Sequence, residues 1–312
     1  MALASRPLVP SRLGDALSHR EGRVAARTRV GAFIALTKPR IIELLLVTTV
    51  PAMVVAEGGW PSIWLMVATI IGGTLAAGGA NAINMVADRD IDRLMPRTQH
   101  RPLVTGIVAP GEALVFALAL EAAAFVWLAV LVNLLSAVLA LCATLFYVFV
   151  YTLWLKRTSR QNIVIGGAAG AVPVLVGWAA VTDSLAWTPW VMFLIIFLWT
   201  PPHFWALAIR YADDYKAADV PMLPVVVGSR RAADRILVYT VALVAASLLL
   251  VPVADMGWIY GLTAAAAGAG FVGMALGLRT TPTSAKAMRL FTYSISYVTV
   301  LFAAMAVDVL VR

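Results

Sequence analysis

The sequence predicts an all-α, polytopic membrane protein, with nine transmembrane helices surrounding a central cavity open to the cytoplasmic side, and three observations predict it. Of the 312 residues, 62% are hydrophobic and 13% charged, with a mean hydropathy of +0.89, far from the balance of a soluble domain. Apolar stretches of about 20 residues, the length that crosses a hydrocarbon core, recur along the chain. Of the 24 Lys and Arg residues, all but Arg312 fall in the N-terminal arm, at the start of the first helix or beyond the even-numbered spans, as expected when basic residues collect in cytoplasmic loops.

Taken in order, residues 1–30 read as a disordered basic cytoplasmic arm carrying Arg6, Arg12, Arg20, Arg23, Arg27 and Arg29. No apolar h-region precedes Arg40, so the arm is not read as a cleaved secretory signal. Asp15 and Glu21 argue for a bacterial cell membrane over a mitochondrial inner membrane. Spans are centred near Val47, Thr69, Leu120, Phe146, Val172, Ile196, Val244, Ala267 and Val300, which places the N-terminus in the cytoplasm. Residues 31–312 form one transmembrane domain, in which helices one to four and five to eight read as similar halves followed by a ninth helix.

Two cytoplasmic loops are long and acidic. One, over about 88–111, carries Asp88, Asp90 and Asp92; the other, over about 210–235, carries Asp213, Asp214 and Asp219. The opposite loops are short and hold no basic residue. The net charge of +8 follows from topology and is no argument for nucleic acid. Cys142 is the sole cysteine, which excludes an internal disulfide, a cysteine-based zinc site and a haem-attachment motif. Gly166-Gly167-Ala-Ala-Gly170 follows no strand and is no nucleotide loop; it suits close helix packing, or room for a flat ligand.

Asn84, Asp88 and Asp92 stand four residues apart, so on a helix they form one stripe of oxygen ligands at the membrane surface. Asp90 lies on the opposite side and reads as a salt-bridging or solvent-facing group. Mg²⁺ takes oxygen ligands and bridges one or two carboxylates to substrate phosphates. A diphosphate held through Mg²⁺ therefore explains the cluster, with Arg97, Arg101, Lys156, Arg157, Arg210 and Lys216 available for its remaining oxygens. An isoprenoid tail would explain the apolar bundle behind it. Aromatic faces can stabilise an allylic cation away from water, and Tyr147, Tyr151, Trp154, Trp178, Trp199, Phe204, Trp205 and Tyr211 are placed for that role or for an interfacial belt. Glu43 and Glu121 lie inside spans one and three, facing the cavity or pairing with a neighbouring helix.

The Asn-x-x-x-Asp-x-x-x-Asp motif at Asn84, Asp88 and Asp92 resembles that of the UbiA-type intramembrane prenyltransferase superfamily. The chain is most similar to its protohaem IX farnesyltransferase (haem O synthase) branch. The residues that carry this are Thr37-Lys-Pro-Arg, Arg97-Thr98, Arg101-Pro102-Leu103, Thr200-Pro-Pro-His-Phe-Trp, Asp214-Tyr-Lys and Val220-Pro-Met-Leu-Pro. The resemblance runs from about Leu36 to the C-terminus. It implies transfer of the farnesyl group of farnesyl diphosphate to a vinyl group of protohaem IX, with water added, in the lipid bilayer. It implies Mg²⁺ as cofactor, and haem-processing or oxidase-assembly proteins as partners. The superfamily's second Asp-x-x-x-Asp motif is absent, since positions 210 and 218 are Arg and Ala, which leaves Asp214 as the remaining metal ligand. His203 is then a haem ligand, at the iron or a propionate, or a structural histidine following two prolines; Tyr151, Trp178 and Trp205 are expected against haem or prenyl chain. Two other readings stand beside this one: a UbiA-type enzyme acting on a phenolic or quinone-precursor acceptor, and a secondary transporter, whose charges would sit at the bilayer midplane instead.

Overall fold

In the computed structural model, residues 28–312 are described, the side chains of 40–46 excepted; the basic arm up to residue 27 and the Glu43 side chain thus lie outside what is described. The long helices are α1 (Pro39–Glu57), α2 (Ile63–Ala87), α3 (Pro110–Leu131), α4 (Leu134–Thr158), α5 (Asn162–Thr182), α6 (Trp187–Arg210), α7 (Leu223–Val253), α8 (Trp258–Thr280) and α9 (Ser284–Val311). Among the described residues, eight of them, α2 to α9, are long and apolar enough to cross a membrane, and the apolar part of α1 described with them is Val47–Glu57. No strand occurs among the described residues.

Helix ends follow local chemistry. Pro39 and Pro110 occupy first-turn positions where no amide hydrogen is required. The Asn133 side chain accepts from Ser136 N at 2.8 Å at the start of α4, and Thr283 accepts from Lys286 N at 3.3 Å at the start of α9. α1 ends on Gly58 in the left-handed region, φ 68°. Pro51, Pro173, Pro201, Pro202 and Pro252 sit inside helices, as membrane segments tolerate.

The second acidic loop is shorter than the sequence suggested. α7 begins at Leu223 with Pro224 in its first turn, so Arg230, Arg231 and Arg235 are helical, beyond a kink at Gly228, φ 82°. A second departure lies in α4, where residues Phe146–Leu155 are wound as a π-helix. Such segments commonly mark functional sites.

α2 packs chiefly on α3, α6 on α7 and α5, and α9 closes the bundle against α1, α6 and α8. The larger core joins α5 to α9 around residues such as Met192, Ile195, Tyr260, Phe271 and Tyr297. A smaller core pins a helical stretch over 28–36 to α2 and α3 through Leu36, Ala82 and Ala113. Between α1, α2, α4, α5 and α6 lies a cavity of about 450 Å³.

Candidate functional site

The acid motif stands where α2 ends. Asp88 is the residue on which α2 stops, with φ −92° and ψ 5°, and a short helix, Arg89–Leu94, follows. The helical register nevertheless carries across: Asp88 N bonds Asn84 O at 2.9 Å and Asp92 N bonds Asp88 O at 2.8 Å. The stripe expected of a continuous helix is therefore kept. Asp88 is fully buried, and Asn84 and Asp92 are each 3% exposed.

Each member is held by a cation. Arg101 Nη1 donates to Asp92 Oδ2 at 2.6 Å, and Lys156 Nζ donates to Asp88 Oδ2. Asn84 Nδ2 donates to Asp88 Oδ2 at 2.8 Å and to Thr152 Oγ1, on the π-helical segment, at 3.1 Å. Its Oδ1 accepts from Lys38 Nζ at 2.9 Å. Lys38 has left-handed backbone geometry, φ 50°, just before Pro39. Burial, followed by the charges of Arg101 and Lys156, lowers its pKa to about 7.

Asp88 Oδ1 is buried with no hydrogen-bond partner, and Arg157 Nη2 lies 3.8 Å from it. An orphaned carboxylate oxygen beside the amide oxygen of Asn84 and the carboxylate of Asp92 is a donor set suited to a hard cation such as Mg²⁺. Among the described residues no three His, Cys, Asp or Glu side chains group closely enough to hold a metal. Two carboxylates and an amide, completed by ligands from substrate and water, match the mode in which Mg²⁺ is ordinarily bound.

The cavity runs inward from this cluster. Lys38, Asn84, Asp92, Arg97, Arg101, Lys156 and Tyr215 line its polar end, while Ile70, Gly73, Ala76, Ala77 and Ala80 of α2 line the apolar part. Tyr147, Tyr151, Trp199 and Phe204 also line it, and the Tyr147 and Tyr151 rings stack at 5.4 Å. Arg97 lies 5.4 Å over the Tyr215 ring and donates to its hydroxyl at 3.3 Å; burial raises the Tyr215 phenol above its ordinary range. Of the five threonines that line the cavity, four commit their hydroxyls as Thr49 to Pro173 O, Thr69 to Leu65 O, Thr144 to Glu121 Oε1 and Thr200 to Ile196 O. Glu121 thus pairs with α4 behind the cavity wall.

Several expected site residues stand elsewhere. Arg157 binds Asp90 through two 2.7 Å hydrogen bonds and Ala87 O at 2.8 Å, which drops the Asp90 carboxyl to about 2 and anchors the acidic segment instead of facing the cavity. Arg210 and Lys216 are exposed and do not line it, because the short helix Ala212–Ala217 turns Tyr215 inward. Asp214 is half-buried and forms no metal-holding group with Asp88 and Asp92.

α6 shows Trp199, Thr200, Phe204 and Leu207 to the cavity and turns its other faces to the bundle. His203 therefore packs on α9, between Trp199 at 4.3 Å and Phe291 at 4.4 Å, with Nδ1 2.7 Å from Ser294 Oγ. Ser294 Oγ donates to Phe291 O at 2.6 Å, so the Nδ1 of His203 carries the hydrogen. Trp205 packs edge-on against Tyr239 of α7, 5.4 Å between rings, and Trp178 likewise does not line the cavity. Lys38 and Tyr215 join the site from outside the expected set; a lysine directly before a helix-starting proline was the one signal for Lys38.

A model of the UbiA prenyltransferase family matches residues 45–302. The chain is 55% identical over 290 residues to the protoheme IX farnesyltransferase of Clavibacter michiganensis, covering 91% of this chain and 94% of the relative. It is 50% identical to that of Streptomyces coelicolor over 100% of this chain and 99% of the relative. Among solved structures it superposes on a digeranylgeranylglyceryl phosphate synthase with a TM-score of 0.76 at 17% identity, covering 91% and 100% of the two chains. A UbiA homolog from Archaeoglobus fulgidus bound to GPP and Mg²⁺ aligns with a TM-score of 0.60 at 17% identity, covering 88% and 99%.

Proposed function

This chain belongs to the UbiA prenyltransferase family, and on that premise we propose that it transfers the farnesyl group of farnesyl diphosphate to a vinyl group of protohaem IX, with addition of water and release of diphosphate. The observation that carries this is the buried Asn84, Asp88 and Asp92 cluster, ringed by Lys38, Arg101 and Lys156, at the polar end of an apolar cavity. Names of relatives at 50–55% identity over most of the chain supply the acceptor.

Asn84 Oδ1, Asp88 and Asp92 would hold Mg²⁺. When bound, the ion supplies Lewis-acid stabilisation to the departing diphosphate. The cations lining the site are positioned before substrate arrives, Arg101 and Lys156 by Asp92 and Asp88, Lys38 by the Asn84 amide oxygen and Arg97 by Tyr215. Diphosphate oxygens can replace the carboxylates as their partners, so the positive groups turn to the leaving group with little reorganisation. Loss of diphosphate leaves an allylic cation beside the stacked faces of Tyr147 and Tyr151, where the apolar walls exclude water. The electron-rich vinyl carbon attacks this cation. Water then adds to the new cation beside the pyrrole and gives the alcohol, releasing a proton.

The polar end faces the cytoplasm in this reading, supported by the sorting of Lys and Arg to that end, and the membrane is that of a bacterial cell. Haem-processing or oxidase-assembly proteins are the expected partners for delivery and release. Mass spectrometry of haem extracted after incubation of the purified protein with farnesyl diphosphate, protohaem and Mg²⁺ tests the reading. A product heavier by one farnesyl group and one hydroxyl group is expected; unmodified haem, with prenylation seen only when a phenolic acceptor is supplied instead, would overturn it.

A further inference from the structure

We propose that Gly73 sets the length of prenyl chain the cavity accepts; the inference rests on the prenyl-transfer reading. α2 and α5 carry eight glycines, and at six of them an added Cβ would press on a neighbouring helix or side chain, within 3.0 Å at five and at 3.3 Å at Gly78. A Cβ on Gly72 would lie 2.4 Å from Leu128, one on Gly79 2.6 Å from the Glu121 carboxylate, and one on Gly166 2.3 Å from the Tyr151 ring. Gly73 and Gly170 differ: a Cβ on either meets no atom within 4 Å, and both line the cavity. Glycine is the least favourable residue for a helix interior after proline. At Gly73 it serves no helix contact, so the space it leaves is kept for whatever fills the cavity.

The position of that space identifies the occupant. Gly73 shares the cavity-facing stripe of α2 with Ala76, Ala80 and Asn84 and lies about 16 Å from Asn84, at 1.5 Å of rise per residue. A tail anchored by its diphosphate at Asn84 and Asp88 brings its far end to this level. Thr69, one turn further, has committed its hydroxyl to Leu65 O at 2.8 Å, so it offers no hydroxyl hydrogen to a polar group there. A terminal isoprene unit fits these surroundings, and a haem propionate does not.

The test uses the full chain in detergent with protohaem, Mg²⁺ and geranyl, farnesyl or geranylgeranyl diphosphate, following diphosphate release. Gly73→Leu is expected to lower kcat/KM for farnesyl diphosphate by about tenfold or more while changing that for geranyl diphosphate far less, the range one or two buried methylenes command. Gly73→Ala falls between, and its methyl, which meets no neighbour, keeps the test alive should the leucine variant fail to fold. Gly273→Leu on α8, outside the cavity and equally free of neighbours, controls for adding a leucine to a membrane helix and keeps the wild-type ratio. An unchanged farnesyl-to-geranyl ratio in both Gly73 variants overturns the proposal while leaving prenyl transfer standing. A wild-type chain that releases diphosphate from none of the three donors overturns both.

Discussion

Lys38 Nζ lies 2.9 Å from Oδ1 of Asn84, 46 residues further along the chain, and so covers the amide oxygen that a metal ion would take. The lysine reaches it because the turn before Pro39 adopts left-handed geometry, and because Asn81 Nδ2, one turn before Asn84, holds the Thr37 carbonyl at 3.3 Å. A cation thus stands in the ligand set before any metal does, ready to move to the diphosphate.

Replacing Lys38 by methionine keeps the stem and removes the charge. Charge-assisted hydrogen bonds contribute about 1.5–3 kcal/mol, so KM for the prenyl diphosphate should rise by about tenfold to a hundredfold. The Mg²⁺ concentration needed for half-maximal rate should fall, since a competing cation is gone. Steady-state rates with donor and Mg²⁺ varied independently measure both; an unchanged KM would return Lys38 to a topological role.

Asp88→Asn retains the shape of a fully buried side chain while removing its negative charge. Diphosphate release should fall at least about a hundredfold, in line with losing a charged ligand from a preorganised site. Chelation of divalent ions should stop the wild-type reaction, and added Mg²⁺ should restore it. Activity retained in the variant would remove Asp88 from the chemistry.

For His203 the structure favours packing. Loss of its two stacked aromatic neighbours and of the Ser294 hydrogen bond in His203→Ala should destabilise the protein by about 2 kcal/mol. Haem titration of the folded variant should retain the wild-type spectrum. A shifted absorption band with unaltered thermal stability would show that the ring touches haem after all.

At the far end of the bundle, the Asp308 carboxylate is 1% exposed and accepts from Gly257 N at 2.6 Å and Tyr260 N at 3.1 Å, capping the first turn of α8 from α9. Asp308→Ala should cost about 1–3 kcal/mol of stability with kcat/KM little altered. Thermal unfolding in detergent, read alongside diphosphate release, separates these two effects; a large loss of kcat/KM in the folded variant would contradict a purely structural cap.

Much of this was legible in the sequence because hydropathy and charge act over whole segments. Each expected span centre, from Val47 to Val300, falls inside a helix, and the spacing of Asn84, Asp88 and Asp92 survives the break in the helix at Asp88. The side-chain assignments on α6 did not transfer. Trp199, His203 and Trp205 lie within two turns, yet only Trp199 reaches the cavity, since neighbours on a helix that is apolar all round carry no mark of which face meets a ligand. The π-helical winding of Phe146–Leu155, which brings Thr152 to Asn84, has no counterpart in the apolar pattern. Lys38 was concealed by its own charge, which topology already explained.

Arg312, the single basic residue outside the charge sorting, ends α9 with Nε 3.2 Å from Asp308 Oδ2. Together the two side chains carry no net charge. A transmembrane voltage, worth roughly 2.3 kcal/mol per elementary charge per 100 mV, therefore exerts little net force on these two paired side chains.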